Sequence, residues 1–172
     1  MFDLLSGNSS FEHRITIVQL DVTDADSIQN ATAHVQEKLE DSALYGIVNN
    51  AGIANASLGR TLDVNVYGIH RICSAFIPLL SQSDGRIVNV TSAAGPSYVA
   101  RCSREYQNLL TKEEIAWPEI TEFMDKCIDI SSGTQDFHQQ GLGDGSTYGI
   151  SKACANALTL HLAHAFPHLR VN

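Results

Sequence analysis

Tyr148-Gly149-Ile150-Ser151-Lys152 sets a phenol and an ammonium four residues apart. On a helix that spacing puts both on one face. The chemistry it suits is proton transfer by tyrosine. A free phenol ionises near pH ~10, so acting at neutral pH requires its phenolate to be stabilised by about 4 kcal/mol. One ammonium about 5 Å away, at an effective dielectric of about 20, supplies roughly 3 kcal/mol of that. A lone Y-x-x-x-K is more often an ordinary exposed pair, so its company has to decide.

That company is informative. Ser92 directly follows the apolar run Ile87-Val88-Asn89-Val90-Thr91. A hydroxyl at the carboxyl end of such a strand lies where open α/β sheets bind ligands, and it can hydrogen-bond a carbonyl. Taken alone it is a serine that starts a loop. Asn65 stands at the edge of an apolar helical stripe, where an unpaired amide is costly. It is either structural or the anchor of a buried water chain. Asn49-Asn50-Ala51-Gly52 ends another strand with small groups that permit close backbone approach to a ligand. Asp21 ends the first strand, where its carboxylate can accept from an amino group such as adenine's. Two other features read as ordinary. Gly141-Leu142-Gly143-Asp144-Gly145 precedes a helix but follows no strand, and Asp144 repels phosphate, so it reads as a flexible linker. His161, His164 and His168 have no carboxylate near them in sequence and read as a surface helix, so no metal site is expected.

These residues need elements to position them. Ile15–Leu20 is a β-branched run of strand length. It stops at Asp21-Val22-Thr23-Asp24, where Thr23 and Asp26 stand in capping-box spacing. Ile28, Ala31, Val35 and Leu39 then recur at helical spacing to about Asp41. Leu44–Asn49 reads as a short buried strand. Leu62, Val66, Ile69, Cys73, Phe76 and Leu80 form the clearest helical stripe, closed near Pro78. Ile87–Thr91 is a third strand with almost no polar interruption, a pattern typical of a parallel sheet covered on both faces. Strand, helix, strand, helix, strand predicts a doubly wound α/β fold.

Residues 96–145 break the rhythm. They carry nine of the chain's 19 acidic residues and four of its 11 basic ones. Pro118 sits at a helix start, and Ile120, Phe123, Met124, Cys127 and Ile128 form one apolar face. The reading is an acidic helical excursion with a flexible return from Gly133 to Gly145. A last helix runs from Thr147 to Ala165 and is closed by Pro167. Leu169–Asn172 looks like the opening of a further strand. Residues 1–14 read as a loose lead-in.

The 172 residues predict one domain, and 44% hydrophobic with 17% charged residues is a foldable composition. A formal charge of -8 argues against a nucleic-acid or anionic-membrane partner. No apolar run reaches the length of a membrane span, and Met1–Leu5 lacks the basic start of a signal peptide. The four cysteines form no C-x-x-C pair and read as reduced thiols in a cytoplasmic compartment.

Asn49-Asn50-Ala51-Gly52, Asp63-Val64-Asn65, Ile87-Val88-Asn89-Val90-Thr91-Ser92 and Tyr148-x-x-x-Lys152 occur in the order found in the short-chain dehydrogenases/reductases, and the chain resembles that family from Ile15 onward. The resemblance implies a Rossmann-like, doubly wound parallel sheet and a nicotinamide-dependent oxidoreductase with an Asn65-Ser92-Tyr148-Lys152 tetrad. Tyr148 would be the general acid for carbonyl reduction. Lys152 would lower its pKa and hold the nicotinamide ribose, Ser92 would orient the carbonyl, and Asn65 would support a proton relay through water. Asp21, Val22, Asn50, Ala51 and Gly52 would line the cofactor, with Asp21–Asp24 on the adenine. The long gap between Ser92 and Tyr148 is similar to the monomeric carbonyl reductase branch, which implies NADP(H), with NAD(H) left open, and small aldehyde or ketone substrates. The family's T-G-x-x-x-G-x-G loop is absent from this sequence. The expectation is therefore a partial dinucleotide-binding domain over 1–172, lacking the first two strands and the Gly-rich loop. Its competitor is a catalytically inert truncated product that binds no cofactor.

Overall fold

The computed structural model describes residues 14–172, so nearly all of the expected lead-in lies outside the described residues. Three parallel strands form one sheet in the order β1 (Gly46–Asn49), β2 (Arg86–Asn89), β3 (Arg170–Val171). Asn49 pairs with Asn89 across β1 and β2, and Ile87 pairs with Val171 across β2 and β3. Both links between strands are helical crossovers, as parallel neighbours require. The expected α/β class with a parallel sheet is what the chain adopts.

Helix α1 (Ala25–Leu39) begins at Asp24, whose carboxylate accepts from Ser27 N. The cap is thus Asp24 and not Thr23. Thr23 is already committed to Asp21, whose Oδ1 accepts from both its N–H and its hydroxyl at 2.8 Å. The apolar stripe expected from Leu62 is one rod in three parts: α2 (Leu58–Leu62), a π-helical turn (Asp63–Tyr67) and α3 (Gly68–Phe76). It ends in a 3-10 turn over Ile77–Leu79 that holds Pro78. Helix α4 (Ala94–Val99) follows β2, and α7 (Thr147–Ala165) leads into β3.

The excursion holds α5 (Arg104–Leu110) and α6 (Trp117–Ser132), with Pro118 in the first turn of α6. Glu119 accepts from Ala116 N at 2.8 Å and closes that start. Ile120, Phe123, Met124 and Cys127 are buried and Ile128 partly so, with α6 packed on α7 and α2. The apolar face read from the sequence is therefore covered by the same rod and helix that carry Asn65 and Tyr148.

Three expectations fail. Ile15–Leu20 pairs with no strand. Ile17 is 84% exposed, and Val18 instead packs on the small cluster of Ile28, Ala31, Ile72 and Phe76. β-Branched composition favours an extended backbone, but a ladder needs a hydrogen-bonded neighbour, and no described strand lies beside this segment. The sheet is also not covered on both faces. Val48 is 67% exposed, and Val88 and Val90 share that openness. The return loop is not flexible throughout. Gly141, Gly143 and Gly145 all take positive φ, Ser103 N donates to Gly141 O at 2.7 Å, and the buried Tyr98 hydroxyl donates to Leu142 O at 2.7 Å. These glycines buy a tight path that other residues adopt only with strain.

Candidate active site

Helix α7 carries the phenol and the ammonium on adjacent turns, and Ser146 caps its start by accepting from Gly149 N. Lys152 is buried, and its Nζ lies 5.6 Å from the centre of the Tyr148 ring. One of its protons goes to Val90 O at 2.9 Å, which leaves two for a ligand. Burial lowers the Lys152 pKa below the ordinary lysine value. The Tyr148 hydroxyl makes no hydrogen bond among the described residues, and its ring is partly open to solvent.

Ser92 lies just past β2 at the mouth of α4. Its Oγ accepts from Ala94 N at 3.1 Å, so its own proton stays free to donate. What fixes Ser92 against α7 is Gly95. A Cβ there would stand 2.9 Å from both the carbonyl carbon and the oxygen of Lys152. The missing side chain lets α4 lie against the backbone of the turn that bears the catalytic candidates. Gly52 also borders this cluster, where an added Cβ would make only ordinary contacts. A Cβ at 52 would sit 3.4 Å from Asn65 Oδ1 and 3.7 Å from Lys152 Nζ.

Asn65 sits in the π turn and is only 1% exposed. Its Oδ1 accepts from Ile53 N at 2.8 Å, while its Nδ2 donates to Ile53 O at 2.9 Å and to Ser151 Oγ at 3.0 Å. Both amide protons are thus spent on protein, and the side chain has none left for a water. A second amide chain braces the strand ends. Asn49 Nδ2 donates to Asn89 Oδ1 at 2.8 Å, and Asn89 Nδ2 donates to Thr159 Oγ1 at 2.9 Å. Asn49 is therefore structural, and the residues after it face the open end of the sheet.

The remaining candidates sit apart from this cluster. Val22, Asn50, Ala51 and Val64 line one end of an apolar cleft of about 320 Å³ between the 18–22 segment and β1. Asp21 lies beside it, exposed. The backbone N–H and then the hydroxyl of Thr23 hold its carboxyl below the usual range, against a small desolvation effect and helped by Arg60. Among the described residues its Oδ2 makes no protein hydrogen bond, so it can accept from an amino group. The structure thus gathers Asn65, Ser92, Tyr148, Lys152 and Gly52 at one place. It sets Asp21, Val22, Asn50 and Ala51 at the neighbouring cleft.

The family model described as short chain dehydrogenase matches residues 5–104. The chain belongs to that family. It is 30% identical over 151 residues to carbonyl reductase [NADPH] 1 of Bos taurus, covering 82% of this chain and 52% of the relative. It is 36% identical over 92 residues to estradiol 17-beta-dehydrogenase 2 of Mus musculus, covering 48% of this chain and 24% of the relative. Menthone neomenthol reductase from Mentha piperita superposes with a TM-score of 0.82 at 23% identity, over 96% of this chain and 71% of that one, a likeness of fold. The chain thus spans about half or less of the length of these curated relatives.

Sequence reasoning passed over several residues that shape this candidate site. Arg71 donates to Asp63 Oδ1 at 2.8 Å and to Val22 O at 3.3 Å, tying the cofactor-side segment to the π turn. Gly95 and Ser151 were silent too. The signal for Ser151 was present: a small polar residue in the middle of an apolar helix has to hydrogen-bond inside the protein. His161, read as a surface residue, is half-buried with Nδ1 3.0 Å from Ile115 O, whereas His164 and His168 are exposed.

Proposed function

We propose that this chain carries the catalytic centre of an NADP(H)-dependent reductase of small aldehydes and ketones. The observation that carries the reading is the buried Lys152 ammonium 5.6 Å from the ring of a Tyr148 whose hydroxyl is unpartnered. A bound nicotinamide cofactor supplies the hydride. Tyr148 delivers its phenolic proton to the carbonyl oxygen, and the Lys152 charge stabilises the phenolate left behind. An ammonium about 5 Å from a phenolate oxygen, at an effective dielectric of about 20, contributes about 3 kcal/mol. Ser92 orients the carbonyl with the proton its Oγ keeps free. The two spare protons of Lys152 suit ribose hydroxyls, and Asp21 suits an adenine amino group. Asn65 contributes by holding the Ile53 loop against α7. Both protons of its side-chain amide are already spent, so it has none to donate to a relay water.

The NADPH preference and the carbonyl substrate rest on the bovine relative, whose 151-residue match has to run through the 96–145 excursion. That excursion covers α2 and α7, which supports a monomer. Buried, unpaired thiols and the lack, among the described residues, of any helix long and apolar enough to cross a membrane fit a cytoplasmic protein.

The test is Tyr148→Phe, with NADPH oxidation followed on a panel of aldehydes and ketones and cofactor binding followed by fluorescence. Reduction should fall by roughly 10²–10⁴-fold with cofactor affinity nearly unchanged, because a proton and not a contact is removed. Substantial residual reduction by the variant would overturn the role of Tyr148. Failure of the parent chain to bind NADPH would favour the inert reading.

A further inference from the structure

Ser151 lies inside the Tyr148–Lys152 spacing but takes no part in the chemistry proposed above. It is 0% exposed. Its Oγ donates to Tyr148 O, three residues back, at 2.9 Å and accepts from Asn65 Nδ2 at 3.0 Å. A mid-helix serine can bond back to a carbonyl three or four residues earlier. Here that carbonyl belongs to Tyr148. The other partner, Asn65, is itself clamped to both backbone groups of Ile53. One hydroxyl therefore links the loop after β1, the π turn and the first turn of α7. The π turn and α7 are far apart in sequence, with Ser151 lying 86 positions after Asn65.

We propose that Ser151 is a positioning residue, which sets Tyr148 against the Gly52–Asn65 wall through this shared hydroxyl. The inference rests on the reading of Tyr148 as the proton donor. Without the hydroxyl, Tyr148 O loses its side-chain tie and an amide proton of buried Asn65 loses its acceptor. Nothing else described reaches either atom from that side. Alanine is a better helix former than serine, so the helix itself is not put at risk. The consequence is a displaced phenol on an intact helix. A misplacement near 1 Å costs about a hundredfold in rate, so a few tenths of an ångström costs roughly tenfold.

The experiment compares the full chain with Ser151→Ala and Ser151→Thr by two readouts. The first is NMR with ring-labelled tyrosine, which gives five resonances, one for each tyrosine; the spectrum of Tyr148→Phe assigns the one of interest. In Ser151→Ala the Tyr148 resonance should move or split while those of Tyr45, Tyr67, Tyr98 and Tyr106 stay. Ser151→Thr, which keeps the hydroxyl, should return it. The second is carbonyl reduction, where kcat should fall about tenfold with KM little changed and recover in Ser151→Thr. An unmoved Tyr148 resonance in Ser151→Ala, or an unchanged kcat, overturns the inference. Movement of all five resonances together means a general packing defect and overturns it as well. If the parent chain reduces no carbonyl, the proposed function fails while the NMR comparison still decides the positioning role. Should Ser151→Ala not fold, Ser151→Cys, close to serine in volume and a weak donor, is read by the same criteria with a partial displacement expected.

Discussion

Gly95→Ala isolates how tightly the site depends on helix packing. The added Cβ would stand 2.8 Å from Asn156 Nδ2 and 2.9 Å from the carbonyl carbon and oxygen of Lys152. The Asn156 amide is the end of a side chain and can swing away. The Lys152 atoms are backbone of α7 and cannot. Ordinary contact begins near 3.4 Å, so α4 and α7 have to separate by at least about 0.5 Å. Ser92 moves with α4, since Gly95 N donates to Ser92 O at 3.0 Å. On the scale of a hundredfold per ångström, kcat for carbonyl reduction should fall roughly tenfold. Overpacking costs about 1–3 kcal/mol, and replacing a helical glycine returns up to about 1 kcal/mol. The net loss of about 0–3 kcal/mol lowers Tm by up to about 12 °C for a domain of this size. Gly59→Ala in α2 is the control. A Cβ there meets nothing within 4 Å, so stability should hold or rise. Circular dichroism melts and steady-state kinetics on both variants check this. A Gly95→Ala protein with the parent's kcat and a melt at or above the parent's would refute the packing argument.

On the cofactor side, Gly68→Ala sets a Cβ 2.8 Å from Val22 Cγ2 and should raise the KM for NADPH about fivefold, near 1 kcal/mol, with kcat at saturation unchanged. An unchanged KM would detach Val22 from the cofactor. Lys152→Met should abolish reduction yet melt no lower than the parent near neutral pH. Burial depresses the Lys152 pKa, so the unfolded chain holds that proton more tightly, and the parent's stability rises with pH between the folded value and the ordinary 10.5. The advantage of Lys152→Met should therefore shrink as pH climbs through that window, and a widening gap in melts against pH would reverse the sign. Burial pushes Cys73 up to about 11 and Cys127 to about 12, so at pH 8 about one molecule in a thousand, or fewer, carries a thiolate at either. An aromatic disulfide reagent should find all four thiols silent in native protein and reactive in denaturant; a fast native phase would show a thiol that is not enclosed.

What the sequence disclosed was whatever depends on periodicity within one element. Helix α7 runs over Thr147–Ala165 as its pattern predicts, and the apolar face of α6 is buried at the residues that stripe names. Pro78 and Pro118 fell where a fixed φ is useful. What it withheld depends on partners distant along the chain. Ile15–Leu20 has strand composition, but whether a ladder forms is decided by a neighbour that the segment does not encode. The π turn around Asn65 is invisible to a stripe that steps by three and four. The glycines of 141–145 suggested freedom, and only the Tyr98–Leu142 bond shows that their positive φ serves a pinned path. The order of the four motifs was legible in the sequence, but the Asn65–Ser151 tie beside them was not.

The two parts of the site differ in how they are held. Ser92, Asn65, Tyr148 and Lys152 are cross-braced by α4 on α7, by the buried Asn65 amide and by the Asn49–Asn89–Thr159 chain, whose two asparagines are buried. The candidate cofactor residues are not. Val22 and Asn50–Ala51 sit on opposite walls of an apolar cleft beside the exposed Val48, and Asp21 hangs at its rim. Preorganisation is therefore concentrated where the proposed proton transfer takes place, where sub-ångström error is most costly. The cofactor walls can adjust, and a ligand that bridges them stabilises the folded chain by mass action, about 2.7 kcal/mol at a hundred times its Kd. In this arrangement binding completes the looser wall, while the chemical wall is set by the fold before any ligand arrives.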